Sequence, residues 1–313
     1  MPALIWLYLT ALLYDRTSAS CVALAEALQT VSHDRLTRLL QAEWSGHTLL
    51  EFACRTLFVW DGGYLIIADT VIPKPFATAI EGLAWVFSSQ ERKPVYGLSL
   101  VLLVGTNGTF RIPLSMRLWP KGGPSKDELA LELLSYARHR LRCRPDYVLF
   151  DAWYPAKAVL KRIRDDGWSF VCRLKKHRRF NGMPLRAYRR HPYGSESGWF
   201  TGGLKVLVVR YGAKYDATNR LTLAAAEVRR LYAFRAQIEE VIRVCKGQLG
   251  LTSCQARSER AQVHHLACCL VAFCVLERER HGRGLSIYKL KRLLSFKGCC
   301  VVLPALEQLR SAA

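Results

Sequence analysis

The chain has 313 residues, half of them hydrophobic, and 46 Lys and Arg against 25 Asp and Glu leave a formal net charge of +21. That length and apolar content exclude a disordered tail protein and allow one sizeable core with one or two appendages. The charge favours a polyanionic partner, nucleic acid first; an acidic membrane surface would also answer it, but no apolar run reaches the roughly 18 residues of a spanning helix.

In chain order, residues 3–14 (ALIWLYLTALLY) have no basic stretch before them and no small-residue cleavage site after them, so they are expected to form a buried first helix rather than a leader. The rest of residues 1–60 is expected to be helical. Two short amphipathic pieces, 20–28 and 32–41, lie about a turn apart in the layout of a helix-turn-helix. Ser32 is a good N-cap, and Arg35 and Arg38 share one side of the second piece, from which they can reach DNA phosphates or bases.

Residues 64–72 (YLIIADTVI) read as a strand, apolar except for Asp69 and Thr70. A carboxylate inside a buried strand is costly unless it is paired or metal-bound. The ordinary alternative is a strand end in solvent, yet Val71 and Ile72 continue the apolar run, which makes Asp69 the best placed of the early acids. Residues 61–63 precede it as a turn, Asp61-Gly62-Gly63.

Segments 95–104 and 109–119 then form an antiparallel hairpin around the turn 105–108, with Pro113 better suited to an edge or a bulge than to a central strand. A helix over 125–141, with a Ser125 N-cap, acids in its first turn and arginines in its last, crosses to the next strand. That strand, Tyr147–Phe150, ends at Asp151 and is followed by a helix from about 156 to 166. Ligands of open α/β sheets gather outside the carboxyl ends of strands, which is where Asp151 falls, while Asp146 lies at the opposite end. The plainer role for Asp151 is to cap the following helix.

Between residues 173 and 190 (RLKKHRRFNGMPLRAYRR) there are eight Lys and Arg and no acid, with Phe180 and Tyr188 interleaved. A solvated face is the usual fate of such a run; uncompensated at this density, Arg173, Lys175, Lys176, Arg178 and Arg179 read as a phosphate track. Residues 176–221, including a strand-like 204–211, form a β-rich insertion.

Residues 227–250 (EVRRLYAFRAQIEEVIRVCKGQLG) have good helix formers, no proline, and Gly247 and Gly250 as a stop, so one continuous helix is expected. On it Tyr232, Arg235, Glu239 and Lys246 fall within an arc of about 60°. Leu231, Phe234, Ile238, Val241 and Cys245 cluster on another side. A solvated face with an Arg235–Glu239 ion pair is the simpler account.

The spacing Tyr, two residues, Arg, three residues, Glu, six residues, Lys resembles the Y-R-E-K signature of the bacterial insertion-sequence group of DDE transposases. The resemblance runs from roughly residue 22 to 280. It implies an α/β fold, an RNase H-like mixed sheet flanked by helices, with a β-rich insertion and an N-terminal helical domain. Residue by residue, Asp69 matches the family's first catalytic aspartate, with Lys74 following as in relatives. Asp151 matches the second through Asp151-Ala152-Trp153-Tyr154, and Glu239 is the third acid. Two Mg²⁺ (or Mn²⁺) ions held by Asp69, Asp151 and Glu239 are implied. So are phosphate contacts by Arg235 and Lys246, and a Tyr232 that positions the DNA backbone or stacks near the cut. Trp153 either receives a flipped base or packs structurally.

The implied division is an end-DNA-binding domain over 1–60, a catalytic core over 61–175 and 222–285 interrupted by the insertion at 176–221, and a peripheral basic tail over 286–313. The implied partners are double-stranded DNA, as transposon ends and target, and a second copy of the chain in a homodimer on DNA. No membrane is involved, and the expected location is the bacterial cytoplasm. In the family the insertion supports DNA-hairpin chemistry; here it is short. Three rival readings are a stand-alone RNase H-like nuclease without strand transfer, a domesticated DNA-binding protein that does not cut, and a basic structural protein with no metal site.

The 11 cysteines are odd in number, form no CxxC pair and sit mostly in apolar runs such as 266–276, as reduced cysteines do. His264, His265, Cys268, Cys269 and Cys274 are therefore read as core rather than as zinc ligands, since adjacent Cys268 and Cys269 point different ways on a helix.

Overall fold

The computed structural model describes residues 3–14, 19–60, 62–187, 193–297 and 303–313. Asp61 of the expected turn and residues 188–190 of the basic run lie outside them. Four helices come first: α1 (Leu4–Tyr14), α2 (Cys21–Leu28), α3 (His33–Gln41) and α4 (Gly46–Leu57). Serine side chains accept an N–H at the starts of the last three, Ser20 from Ala23, Ser32 from Arg35 and Ser45 from Thr48, so each start is set locally.

The sheet begins with β1 (Tyr64–Pro73), β2 (Ala84–Ser88), β3 (Lys93–Thr106) and β4 (Arg111–Trp119). β1 pairs antiparallel with β3, whose far side takes β4 along Ser99–Thr106 and β2 along Lys93–Gly97. Pro113 lies opposite Val104 at a register shift, on a strand with no further partner among the described residues. It therefore occupies both an edge and an irregularity, the places where a missing N–H does no harm. Helix α5 (Lys126–Ser135) follows, and the expected helix to 141 continues only as a π-helical turn, Tyr136–Arg140. Then come β5 (Tyr147–Phe150), α6 (Lys157–Asp165) and β6 (Ser169–Leu174), with β1, β5 and β6 mutually parallel. The order β4-β3-β1-β5-β6 is the RNase H-like arrangement.

Strands β7 (Arg179–Phe180), β8 (Met183–Pro184), β9 (Tyr193–Phe200), β10 (Leu204–Tyr211) and β11 (Lys214–Thr218) make up the inserted stretch. β11 pairs antiparallel with β6, and β10, β9, β7 and β8 follow outward, so the insertion prolongs the same 11-stranded sheet.

The helix expected over 227–250 is two helices, α7 (Ala225–Ala233) and α8 (Ala236–Gln248). Gln237 and Ile238 donate to Phe234 and Arg235 three residues back, a tightened turn that breaks the α-pattern. Its cause is tertiary. Phe234 stacks on Tyr64 of β1 at 4.5 Å, and Arg235 turns toward two carboxylates.

Helix α9 (Glu259–Arg283) is long and apolar enough by composition to cross a membrane, but 83% of its apolar window is buried. It is the spine of the core, packed on α1, α3, α4 and β4. The buried apolar residues form one main cluster from Ile5 to Leu309. The C-terminal segment is part of it, which corrects the expectation of a peripheral tail. In α10 (Ile287–Lys297) Leu290 and Leu294 are buried, and Lys291 Nζ donates to the carbonyls of Leu12 and Leu13 at the end of α1, the favourable place for a cation. Helix α11 (Pro304–Ser311) packs on α4 and α9.

Candidate active site

The register of the parallel pair places the first two acids. β1 and β5 pair from Tyr64↔Tyr147 to Ile67↔Phe150, so β1 runs on past the end of β5. Asp69 therefore has a strand neighbour on one side only, Val101 of β3, and Asp151 follows directly at the carboxyl end of β5. Glu239 lies in the first turn of α8. Asp69, Arg235, Glu239 and Lys246 line one cavity of about 610 Å³ with Phe87 and Gln90.

Cations join the acids. Arg235 Nη1 donates to Glu239 Oε1 at 2.6 Å, and its Nη2 lies 3.5 Å from Asp151 Oδ2. Asp69 Oδ1 accepts from the Tyr154 hydroxyl at 3.1 Å, and its Oδ2 accepts from the Lys126 ammonium. Asp151 Oδ1 accepts from the Trp153 N–H at 2.9 Å, so it caps the turn after β5 as well as facing Arg235. Burial raises the Asp151 pKa and the Asp69 charge raises it further, while the Trp153 N–H, Arg235 and Lys175 work against the shift. Burial and the Asp69 charge hold the Tyr154 hydroxyl well above its usual pKa.

Among the described residues no three Asp, Glu, His or Cys side chains are gathered closely enough to hold a metal ion. The donor set itself, the carboxylates of Asp69 and Glu239 on the cavity wall and of Asp151 linked to Glu239 through Arg235, is the hard-oxygen chemistry that Mg²⁺ or Mn²⁺ requires. Asp69 and Asp151 are near enough for one charge to shift the other. The donor types suit such an ion, and as the side chains stand Lys126 occupies Asp69 while Arg235 occupies Asp151 and Glu239.

The other expected contact residues have separate fates. Tyr232 is half-buried, its hydroxyl pushed up to about 12 by burial, with the Arg173 guanidinium 4.5 Å from its ring centroid. Arg173 is not loose on the surface. It pairs with the fully buried Asp216 of β11 and donates to the Tyr211 hydroxyl at 2.6 Å, so the acid missing from the run is supplied across the sheet. Arg178 lies over Phe200 at 4.7 Å, half-buried. Lys175 Nζ sits 3.8 Å from the Trp153 ring centroid, and Trp153 is 58% exposed, which overturns a packing role for it. Lys176 and Arg179 are exposed. Lys246 Nζ donates to the Val71 carbonyl of β1 at 2.7 Å, and burial lowers its pKa. Lys74 is buried, with Nζ donating to the carbonyls of Thr252 and Cys254, a strut between β1 and the loop before α9.

Sequence reasoning missed two groups on Asp69, Lys126 and the Tyr154 hydroxyl. Tyr154 carried a signal, since it belongs to the Asp151 motif. Lys126 carried none, because an N1 lysine of a capped helix reads as surface. Asp146 is at the far end of the sheet, where it accepts the Gly63 N–H at 3.0 Å. The His and Cys side chains of α9 are core: His264 contacts the Leu40 and Trp44 carbonyls, and His265 contacts the Tyr8 hydroxyl and the Gly250 carbonyl.

The sequence profile described as Transposase DDE domain matches residues 65–275, more than half of the chain. No curated protein matches the sequence. Among solved structures, the piggyBac transposase synaptic complex with hairpin DNA is similar at a TM-score of 0.59 and 12% identity, over 99% of this chain and 71% of that one. At that identity the likeness is one of fold. The Mos1 strand transfer complex matches 52% of this chain and 56% of its own at 20% identity and a TM-score of 0.21, too low to carry an argument.

Proposed function

The chain belongs to the transposase DDE domain family, and on that premise we propose that it cuts DNA at transposon ends by metal-assisted phosphodiester hydrolysis and joins the freed 3′-OH to target DNA. The observation that supports this reading is that Arg235 bridges Asp151 and Glu239 while Asp69, whose charge is felt at Asp151, shares a cavity with Arg235 and Glu239. Asp69, Asp151 and Glu239 would hold two Mg²⁺ or Mn²⁺ ions, which would supply an activated water and charge neutralisation at the leaving oxygen. The chain's own residues do the rest. Arg235 and Lys246 hold phosphates beside the acids, and Tyr232, kept in place by Arg173, positions the backbone near the cut. Trp153, exposed and faced by Lys175, offers a stacking surface for a base.

The phosphate track is Lys175, Lys176 and Arg179, with Arg173 and Arg178 bracing its floor. Residues 1–60 engage the end DNA through Arg35 and Arg38, residues 61–175 and 222–285 carry the chemistry, the insertion at 176–221 borders it, and residues 286–313 brace the helical side. Double-stranded DNA is the partner. A homodimer in the bacterial cytoplasm would bring two ends together.

The test is a plasmid carrying the end repeats, incubated with the protein and Mg²⁺. Strand joining is the expected result. Cutting without joining, lost in Asp69→Ala, would make the protein a nuclease, and neither activity would make it a binding module. Asp69→Ala, Asp151→Ala and Glu239→Gln are each expected to lower cleavage by about a thousandfold or more, with duplex binding retained.

A further inference from the structure

Carboxylates that share a site repel one another unless something answers their charge. Here the answer comes from the chain itself. Lys126 is the first residue of α5, a helix start fixed by a capping box in which Ser125 N–H donates to Glu128 Oε2 at 2.6 Å and Glu128 N–H donates to Ser125 Oγ at 3.2 Å. From that fixed base its ammonium reaches Asp69 Oδ2 on β1, while the Tyr154 hydroxyl holds Oδ1. Arg235 spans the other two acids. Every carboxylate of the site thus carries a cation from its own chain.

We propose that Lys126 and Arg235 are resident counter-ions that must leave the acids before a divalent ion can take them. A DNA phosphate draws them off, so ion and DNA bind with positive coupling. The inference rests on the reading of Asp69, Asp151 and Glu239 as ion ligands. An ammonium on Asp69 Oδ2 and a divalent cation on the same carboxylate would be like charges a few ångströms apart, a strongly unfavourable arrangement. Lys126 has somewhere to go. Its side chain is 26% exposed, and its Nζ lies 5.8 Å from the Trp119 ring centroid, a face that can keep the cation at the site after it leaves the acid. A phosphodiester docked beside the acids is the anion that both cations can then meet. By reciprocity DNA tightens ion binding and the ion tightens DNA binding.

Calorimetric titration of the full chain with Mn²⁺, alone and with double-stranded DNA, tests this. Lys126→Met is expected to bind Mn²⁺ alone about tenfold more tightly than the unmodified chain and to lose much of the gain that DNA produces, a coupling of ordinary size. Lys126→Arg, which keeps the charge, is expected to behave like the unmodified chain, so a fault in folding is separable from the loss of the cation. Equal Mn²⁺ affinity in the unmodified chain and Lys126→Met, with binding still lost in Asp151→Ala, overturns the counter-ion inference alone. Absence of any Asp151-dependent Mn²⁺ binding overturns the ion-ligand reading and this inference with it.

Discussion

Asp216 is fully buried, and its charge is tolerable because Arg173 is on it; burial raises its pKa, and the Arg173 hydrogen bond and charge pull it back. The same guanidinium sits over the ring of Tyr232, so one side chain serves both the sheet and a residue beside the acids. Removing it strands a buried carboxylate. Arg173→Ala is expected to cost about 3–5 kcal/mol of stability in urea denaturation. The double variant Arg173→Met with Asp216→Leu should recover most of that, because it removes both charges together. If the double variant is as unstable as the single one, the pair is not what holds this part of the sheet. None of this was legible in the run 173–190, where arginines without local acids read as surface: the acid is 43 residues away. Asp69 was legible because an acid inside an apolar strand is itself an anomaly, and Asp151 because its strand ends there.

Elements were easier to read than the joints between them. The strands carrying Asp69 and Asp151 announce themselves by β-branched runs bounded by turns. The break between α7 and α8 left no trace, since Ala233-Phe234-Arg235-Ala236 has neither glycine nor proline. The helix yields there to the stacking of Phe234 on Tyr64 and to the pull of two acids on Arg235. Strand β3 has a joint of its own at Gly97, which pairs with Pro73 of β1 and Ala84 of β2. A Cβ there would stand 2.2 Å from the Ile72 carbonyl oxygen, and backbone cannot give way as a side chain can. Gly97→Ala is expected to cost about 1–3 kcal/mol and, by displacing the end of β1 that carries Asp69, to lower cleavage as well. Gly247→Ala, in α8 with nothing within 4 Å of the added carbon, should instead add about 0.5–1 kcal/mol. Loss of stability in Gly97→Ala with full cleavage would show that β1 tolerates the shift and that Asp69 is placed from elsewhere.

Across the whole molecule the charge of +21 is a sum that conceals two populations of cations. Some are held by partners in the fold, as Arg111 and Arg280 are by the buried Glu277, Arg173 by Asp216 and Lys291 by the end of α1. Others, such as Lys176 and Arg179, are exposed. Only a cation that reaches a phosphate releases a counter-ion from DNA, so the two populations separate in the salt dependence of binding. In a plot of log affinity against log salt, each phosphate contact contributes about −0.9 to the slope. Lys176→Ala and Arg179→Ala are each expected to flatten that slope by about one. Arg173→Ala and Arg178→Ala, whose guanidinium groups rest on Asp216 and the Phe200 ring, should change it far less, and should act on stability instead. Equal flattening by all four would mean that the internal pairs open on DNA and that the basic run acts as one continuous track. A flat response to all four would move the DNA path off this strand and onto the helical side of the chain, where Arg35 and Arg38 are exposed.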